Sequence, residues 1–526
     1  MRSFLRGRAP RHPSPRFRPL VDPLEERCLL STDMVVQWNA IAIEAARRDY
    51  AVGAPGVQFG PTRLGRVMGI VQAAVFDSVN SIDPEFTPYL IQVAAPKDAS
   101  IDAAVAQAAH DTLVSLYPHQ RPYFDSELAS SLAGIPTVAA AEGVAVGRTV
   151  ANYILAARSN DGSQVDAVGQ PVNYVYGQQP GQWRPDPLHP TGTPLTPDWG
   201  GVMPFGMLSA AQFLLPPPPA LDSKAYAEAY LEVKLIGAKD SPIRTLEQTN
   251  IGTYWGYDTQ PGLCAPIRMY NQIAEVIAQQ EGNTEVANAR FFALLNLAMA
   301  DAGITCWDAK YKDDLWRPIT AIRENDAGTG PTGLGSGNPF LVGQGDPTWQ
   351  PYGAPADNSG GTRTNFTPPF PSYTSGHATL GGALFKMMED YYGTDHIHFT
   401  FVSDEFNSIT VDQNGTVRPT LPRTFDSFSQ AAGENALSRI YLGIHYNFDA
   451  TAGIQCGDRI ADYIFKHSLV PLHGHRPHVL RSMNPEAQID LAIAHESVAS
   501  RAATKHVGHE VRSIIAHERR DHDRRR

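Results

Sequence analysis

A chain of 526 residues, 42% hydrophobic and 18% charged, is too long for one small core and reads as a soluble globular protein of two or more packed units. Its 43 Lys and Arg against 54 Asp and Glu leave a net charge of -11, which argues against a nucleic-acid partner. No stretch approaches about 20 uninterrupted apolar residues, so no membrane span is expected. Cys28, Cys264, Cys306 and Cys456 are widely spaced and form no Cys-x-x-Cys pair, which removes the usual zinc and redox motifs.

Residues 1–33 are basic and proline-rich (Arg2, Arg6, Arg8, Arg11, Arg16, Arg18) and end in Leu24-Glu25-Glu26-Arg27-Cys28-Leu29-Leu30-Ser31. They lack the apolar region of an ordinary secretory signal. They resemble the short basic leaders of some large exported bacterial proteins, and read equally as a disordered arm. Export to the periplasm or the extracellular space is the expectation that follows from the first reading.

Helical periodicity then runs from Val35 to Ile82, and the alanine-rich, proline-free stretches Ile101–Tyr117 and Ala139–Ala157 predict two more helices. His110 reads as a histidine bonded within this bundle. Residues 158–222 are loop-like, with a Pro216–Pro219 spacer, and Ser223–Ile236 is helical again. A second helical region starts near Thr245 and includes Gly262–Gln280, Thr284–Ala302 and, after a short break, Trp307–Arg323. The Gly-, Pro- and Asn-rich residues 327–370 are long enough to suggest a functional loop. Helices follow at 377–391, 427–442 and about 450–468, and from 471 the composition shifts to a His- and Arg-rich tail expected to be mostly disordered.

Three segments carry chemistry. In Trp307-Asp308-Ala309-Lys310-Tyr311-Lys312-Asp313-Asp314-Leu315-Trp316-Arg317-Pro318, Lys310 and Arg317 stand seven residues apart, two turns and nearly one face of a continuous helix. In Pro371-Ser372-Tyr373-Thr374-Ser375-Gly376-His377, a hydroxyl, a glycine and an imidazole stand where a helix should begin, and helix starts hold anions. In Leu437 to Asp449, Arg439 lies among apolar residues and requires a partner. Gly443 can end that helix and let His445 turn back toward Arg439, with Asp449 placed either to orient the imidazole or to hold Arg439. Read singly, these are a solvated cationic stripe, an ordinary N-cap and a structural Arg–Asp pair. Together they supply two guanidiniums, an ammonium, a hydroxyl, a glycine N–H and two imidazoles, a set suited to wrapping a tetrahedral oxyanion.

Lys-x6-Arg-Pro, then Ser-Gly-His, then Ser-Arg-x5-His-x3-Asp, in that order, resembles the superfamily of vanadium-dependent haloperoxidases and type 2 phosphatidic-acid phosphatases. Lys310, Arg317 and Pro318 match the first motif, Ser375, Gly376 and His377 the second, and Ser438, Arg439, His445 and Asp449 the third. Trp38-Asn39 and the Gly60–Ile82 stretch extend the likeness to roughly residues 35–470. Thr374 departs from it, standing where the family usually has proline. The long intervals between motifs, Phe370-Pro371-x-Tyr373 and Trp307 favour the haloperoxidase branch, with Trp307 and Phe370 on the halide side.

The resemblance implies a mainly α fold of two helical bundles joined by long loops, with the site in the C-terminal one. The expected division is 1–33 as leader or arm, 34–240 and 241–470 as the bundles, and 471–526 as tail. It implies orthovanadate held by Lys310, Arg317, Ser375, the Gly376 N–H and Arg439, with His445 as the one protein ligand to vanadium and His377 as the acid–base group. Hydrogen peroxide, polarised by Lys310, would oxidise bromide or chloride to hypohalous acid, which would pass to a small organic acceptor. With phosphate in the same site, His445 would be a nucleophile and His377 the acid of an acid phosphatase. A non-catalytic exported helical scaffold is the reading of a different class. Halide preference and oligomeric state are not legible.

Overall fold

The computed structural model of the protein describes residues 33–472 apart from 165–171, 173, 214, 260, 356–364 and 413. The basic leader up to residue 32 and the His/Arg-rich tail from 473 lie outside the described residues. The first half folds as α1 (Met34–Asp49), α2 (Pro61–Ile82), α3 (Ile101–Leu116), α4 (Arg121–Leu132), α5 (Thr137–Ala157) and α6 (Lys224–Ile236). The second contains α7 (Leu246–Tyr254), α8 (Pro266–Glu281), α9 (Glu285–Asp313), α10 (Pro318–Arg323), α11 (Gly376–Tyr392), α12 (Phe428–Tyr441) and α13 (Asn447–His467). A short antiparallel pair, β1 (Phe399–Val402) and β2 (Pro422–Phe425), sets Phe399 opposite Phe425.

Local chemistry explains many of the helix starts. Asp33, Ser100, Ser223, Thr284 and Ser427 each accept an N–H of the first turn, satisfying a donor the helix cannot. The largest hydrophobic cluster runs from Met34 in α1 through α2, α8, α9 and α11 to Leu469, so both halves share one interior. By length and composition α9 could cross a membrane, but its apolar window is wholly buried by the other helices. His110 lies in α3 between Asp111 and Asp125, 2.8 Å from each. Cys264, Cys306 and Cys456 are buried free thiols.

The helical stretch expected from Val35 to Ile82 is two helices, α1 and α2, separated by residues 50–60, where Gly53, Pro55 and Gly56 break the helix, and α4 was not expected. Two boundaries near the site differ as well. The expected break between Ala302 and Trp307 is absent, and α9 continues through Gly303 because every residue from Asn288 to Trp307 is buried. The expected helix from Trp307 to Arg323 is two elements: α9 ends at Asp313, Asp314 turns left-handed (φ 50°, ψ 32°), and Arg317 is the extended N-cap of α10 (φ -77°, ψ 156°). Lys310 and Arg317 therefore do not share a helix face. Pro318 is the reason, since a residue preceding proline is driven out of helical geometry.

Two glycines position the site. Gly457 lets α13 lie against α11, because a Cβ there would sit 2.4 Å from the Thr379 carbonyl. Gly443, with φ 75°, ends the turn after α12, and a Cβ on it would lie 2.3 Å from the Gly237 carbonyl. We predict that Gly443→Ala costs more than about 2 kcal/mol, from left-handed strain plus backbone overlap, read as a lower unfolding midpoint in denaturant.

Candidate functional site: a buried anion pocket

Four chain segments converge beside the start of α11. The C-terminal part of α9 brings Trp307 and Lys310, and the N-cap of α10 brings Arg317. The end of α12 brings Arg439. The turn 442–446 and the first turn of α13 bring His445 and Asp449. Ser375 caps α11 by accepting the Ala378 N–H at 3.4 Å, and its own N–H donates to the Asp449 carbonyl at 3.1 Å. All of these side chains are buried.

His445 is the centre of the arrangement. Its Nδ1 donates to Asp449 Oδ2 at 2.8 Å, which leaves Nε2 as the lone-pair nitrogen, 3.0 Å from Arg317 Nη1. Burial pushes its pKa well below the ordinary value, and Arg317, Lys310 and Arg439 push in the same direction. Burial raises the Asp449 carboxyl to about 6. Of the two placements open for Asp449 in the sequence, the structure has the first: it orients the imidazole. Arg439 is held instead by Asp258 of the α7–α8 loop.

The arginines carry the anion-binding capacity. Arg317 donates Nε to the Phe370 carbonyl and Nη1 to the Ile444 carbonyl, each at 2.7 Å, and makes no ion pair among the described residues. Its Nη2 has no partner among the described residues, nor do Nε and Nη1 of Arg439. Buried, unpaired guanidinium N–H groups are costly unless an acceptor joins them. Burial lowers the Arg317 pKa to about 10.

Lys310 is engaged differently from Arg317. Its Nζ donates to the carbonyls of Pro371 at 2.9 Å, Ser372 at 3.0 Å and Thr374, so its three N–H groups all hold the turn that leads into α11. Burial lowers its pKa to about 7, while three carbonyl acceptors favour the charged form. The Phe370 ring lies between the two cations, 5.0 Å from Lys310 Nζ and 4.8 Å from the Arg317 guanidinium carbon. Trp307 packs against Phe370 with ring centroids 5.0 Å apart and donates its indole N–H to the Leu195 carbonyl at 3.0 Å. A Cβ on Gly376 would lie 3.5 Å from this indole, an ordinary packing distance, so the helix start faces the Trp307 wall.

His377 donates Nε2–H to the Gly256 carbonyl at 2.7 Å, leaving Nδ1 as the lone-pair nitrogen. Burial and the neighbouring Arg439 lower its pKa to about 4. Both causes disfavour the imidazolium, so we predict that in anion-free protein His377 stays neutral from about pH 5 to 8. Its ring-proton shifts should not titrate there.

Sequence reasoning missed Asp258, Gly256 and Ser372. Asp258 and Gly256 lie in a loop with no local pattern pointing to the site, fixed by Glu405, which accepts the Tyr257 N–H at 3.2 Å and an Arg418 N–H at 2.5 Å. Ser372 stands inside the recognised turn, and its hydroxyl was the available signal. Among the described residues no group of three or more His, Cys, Asp or Glu could hold a metal cation. The pocket's donors suit an oxyanion.

Similarity to known proteins extends over most of the chain. Residues 21–196 match the family model of the vanadium chloroperoxidase N-terminal domain, and residues 290–474 match that of the second helical-bundle domain. Vanadium chloroperoxidase of Curvularia inaequalis is 32% identical over 525 residues, spanning 82% of this chain and 81% of that protein. The structure of a bacterial vanadium-dependent iodoperoxidase superposes with a TM-score of 0.66 at 25% identity, over 83% of this chain and 97% of that one. The holo-type bacterial vanadium-dependent chloroperoxidase shares the fold, with a TM-score of 0.60 at 18% identity over 82% of this chain and 97% of that one.

Proposed function

The chain belongs to the vanadium chloroperoxidase family, and we propose that the pocket of Arg317, Ser375, Gly376, Arg439 and His445, backed by Lys310, is its vanadate site. The protein is a vanadium-dependent haloperoxidase, which oxidises halide with hydrogen peroxide. The residues present fit the cofactor on one observation above the others: two buried arginines from distant parts of the chain carry unpartnered N–H groups beside a histidine whose Nε2 bears no proton and faces Arg317 at 3.0 Å. A tetrahedral oxyanion with an electrophilic centre satisfies both features together.

Bound vanadate supplies a Lewis-acidic centre that activates hydrogen peroxide for attack by halide. The chain's own contributions follow from the geometry. His445 would hold the vanadium through Nε2: Asp449 keeps the proton on Nδ1, and Nε2 would exchange its contact with Arg317 Nη1 for the metal. Arg317 and Arg439 direct their unpartnered N–H groups at the oxygens and spread the negative charge, while Ser375 and the Gly376 N–H add donors at the helix start. His377, held through Nε2, has Nδ1 to take and return a proton. Lys310 would place a positive charge beside the anion and so favour negative charge on it, while its N–H groups hold the turn. To donate directly it must release one of its three carbonyls. Trp307 and Phe370 form the wall on the halide side.

The reading places bromide or chloride as the halide and a small organic molecule as the acceptor of hypohalous acid. Export is part of the proposal and rests on the leader resemblance alone; cell fractionation tests it. Phosphate has the shape and charge to fit the same donors, so the phosphatase reading shares the pocket, with His445 Nε2 as nucleophile. Peroxide-dependent bromination of a phenol dye after loading with orthovanadate, run beside p-nitrophenyl phosphate hydrolysis without vanadate, separates the two. Bromination that requires vanadate and falls as phosphate is added supports the proposal. Hydrolysis without bromination at any vanadate level contradicts it.

A further inference from the structure

Ser372 holds a position that the mechanism above does not use. It is fully buried, and its backbone is pinned on both sides: the N–H donates to the Leu315 carbonyl at 2.8 Å and the carbonyl accepts from Lys310 at 3.0 Å. With its backbone so fixed, the hydroxyl donates to Asp449 Oδ2 at 2.5 Å and lies 3.4 Å from His445 Nδ1. That same Oδ2 accepts the His445 Nδ1–H at 2.8 Å and the Tyr446 N–H at 3.1 Å, while Oδ1 has no partner among the described residues. One oxygen of a buried carboxylate thus carries all of its hydrogen bonds.

We propose that Ser372 is a positioning residue which, through Asp449, holds the His445 imidazole in the Nδ1–H tautomer and aims Nε2 at the bound anion. The inference rests on the vanadate reading of the pocket and deepens it. Carboxylate torsions are broad and loosely held, so donors must fix the plane of Asp449. The Tyr446 amide belongs to the turn it shares with Asp449 and His445, and moves with them. Ser372 is the donor that comes from elsewhere, from the turn clamped by Lys310, and it ties the position of the imidazole to the start of α11. A space the size of one hydroxyl is too small for a replacement water, so alanine leaves Oδ2 one donor short.

Equilibrium dialysis of orthovanadate against full-length Ser372→Ala, Asp449→Asn and the double variant tests this, together with the 15N shifts of the His445 ring in vanadate-free protein. Ser372→Ala is expected to bind orthovanadate about tenfold more weakly than wild type, in line with the usual effect of losing a partner behind a metal ligand. In the Asp449→Asn background the same substitution should add less than about twofold, because its route is already cut. The ring nitrogens should move from one tautomer toward a mixture. If Ser372→Ala fails to fold, Ser372→Cys, a weak donor of similar size, takes its place. Unchanged affinity in the single variant, or additive losses in the double, overturns the inference. Absence of orthovanadate binding in wild type is a distinct result: it removes the vanadate reading, and this inference with it.

Discussion

Replacing His445 with alanine is expected to abolish peroxide-dependent halide oxidation and to weaken orthovanadate binding by more than about 100-fold. The magnitude follows from comparison with less direct losses. Removing a partner behind a metal ligand typically costs 10–100-fold in affinity, and the proposal makes His445 a direct ligand, whose removal should exceed that range. His445 also supplies the acceptor facing Arg317 Nη1, 3.0 Å away, so its loss leaves a further buried donor unpaired. Dialysis with radiolabelled or atomically assayed vanadium measures the binding, and dye bromination the turnover. The variant should fold, because the Ile444 carbonyl still accepts from Arg317 and Gly443 still forms the turn. Binding at wild-type affinity in folded His445→Ala would show that the imidazole is not a ligand of the anion.

Replacing Asp258 with alanine should have the largest effect on stability. Arg439 is buried, and Asp258 is the carboxylate it pairs with. Breaking a buried pair by removing one member leaves an uncompensated charge, which costs about 3–5 kcal/mol. The neighbours deepen the loss, since Arg317 and Lys310 are positive and buried in the same region. Saturating orthovanadate or phosphate should restore part of the stability, because the anion supplies the missing negative charge and binds only the folded chain. Thermal unfolding with and without each anion measures both effects. A variant as stable as wild type would mean that Arg439 is solvated and the pocket is not closed.

Features set by local chemistry were legible in the sequence. Ser375-Gly376-His377 opens a helix because serine caps the Ala378 amide, and Gly443 ends a turn because few other residues tolerate φ 75°. Individual helices were legible through apolar periodicity and alanine-rich runs, and the mainly α fold through the family resemblance. Features set by distant packing were not. Asp258 pairs with Arg439 across 181 positions of chain, and no local pattern announces such a pair. α4 went unread because it buries only Phe124 and Ser131 and so shows no apolar stripe. α9 is buried around most of its circumference, which erases the amphipathic period that would have carried it through Gly303. The placement of Lys310 and Arg317 on one helix face failed at Pro318, a local signal that was read only as part of a motif.

A crystal structure of the protein soaked in orthovanadate tests the central claim most directly. The account predicts one anion per chain, with His445 Nε2 on vanadium and the unpartnered nitrogens of Arg317 and Arg439 donating to its oxygens. An anion found elsewhere, or a bound anion that leaves those two guanidiniums unpaired, would contradict it.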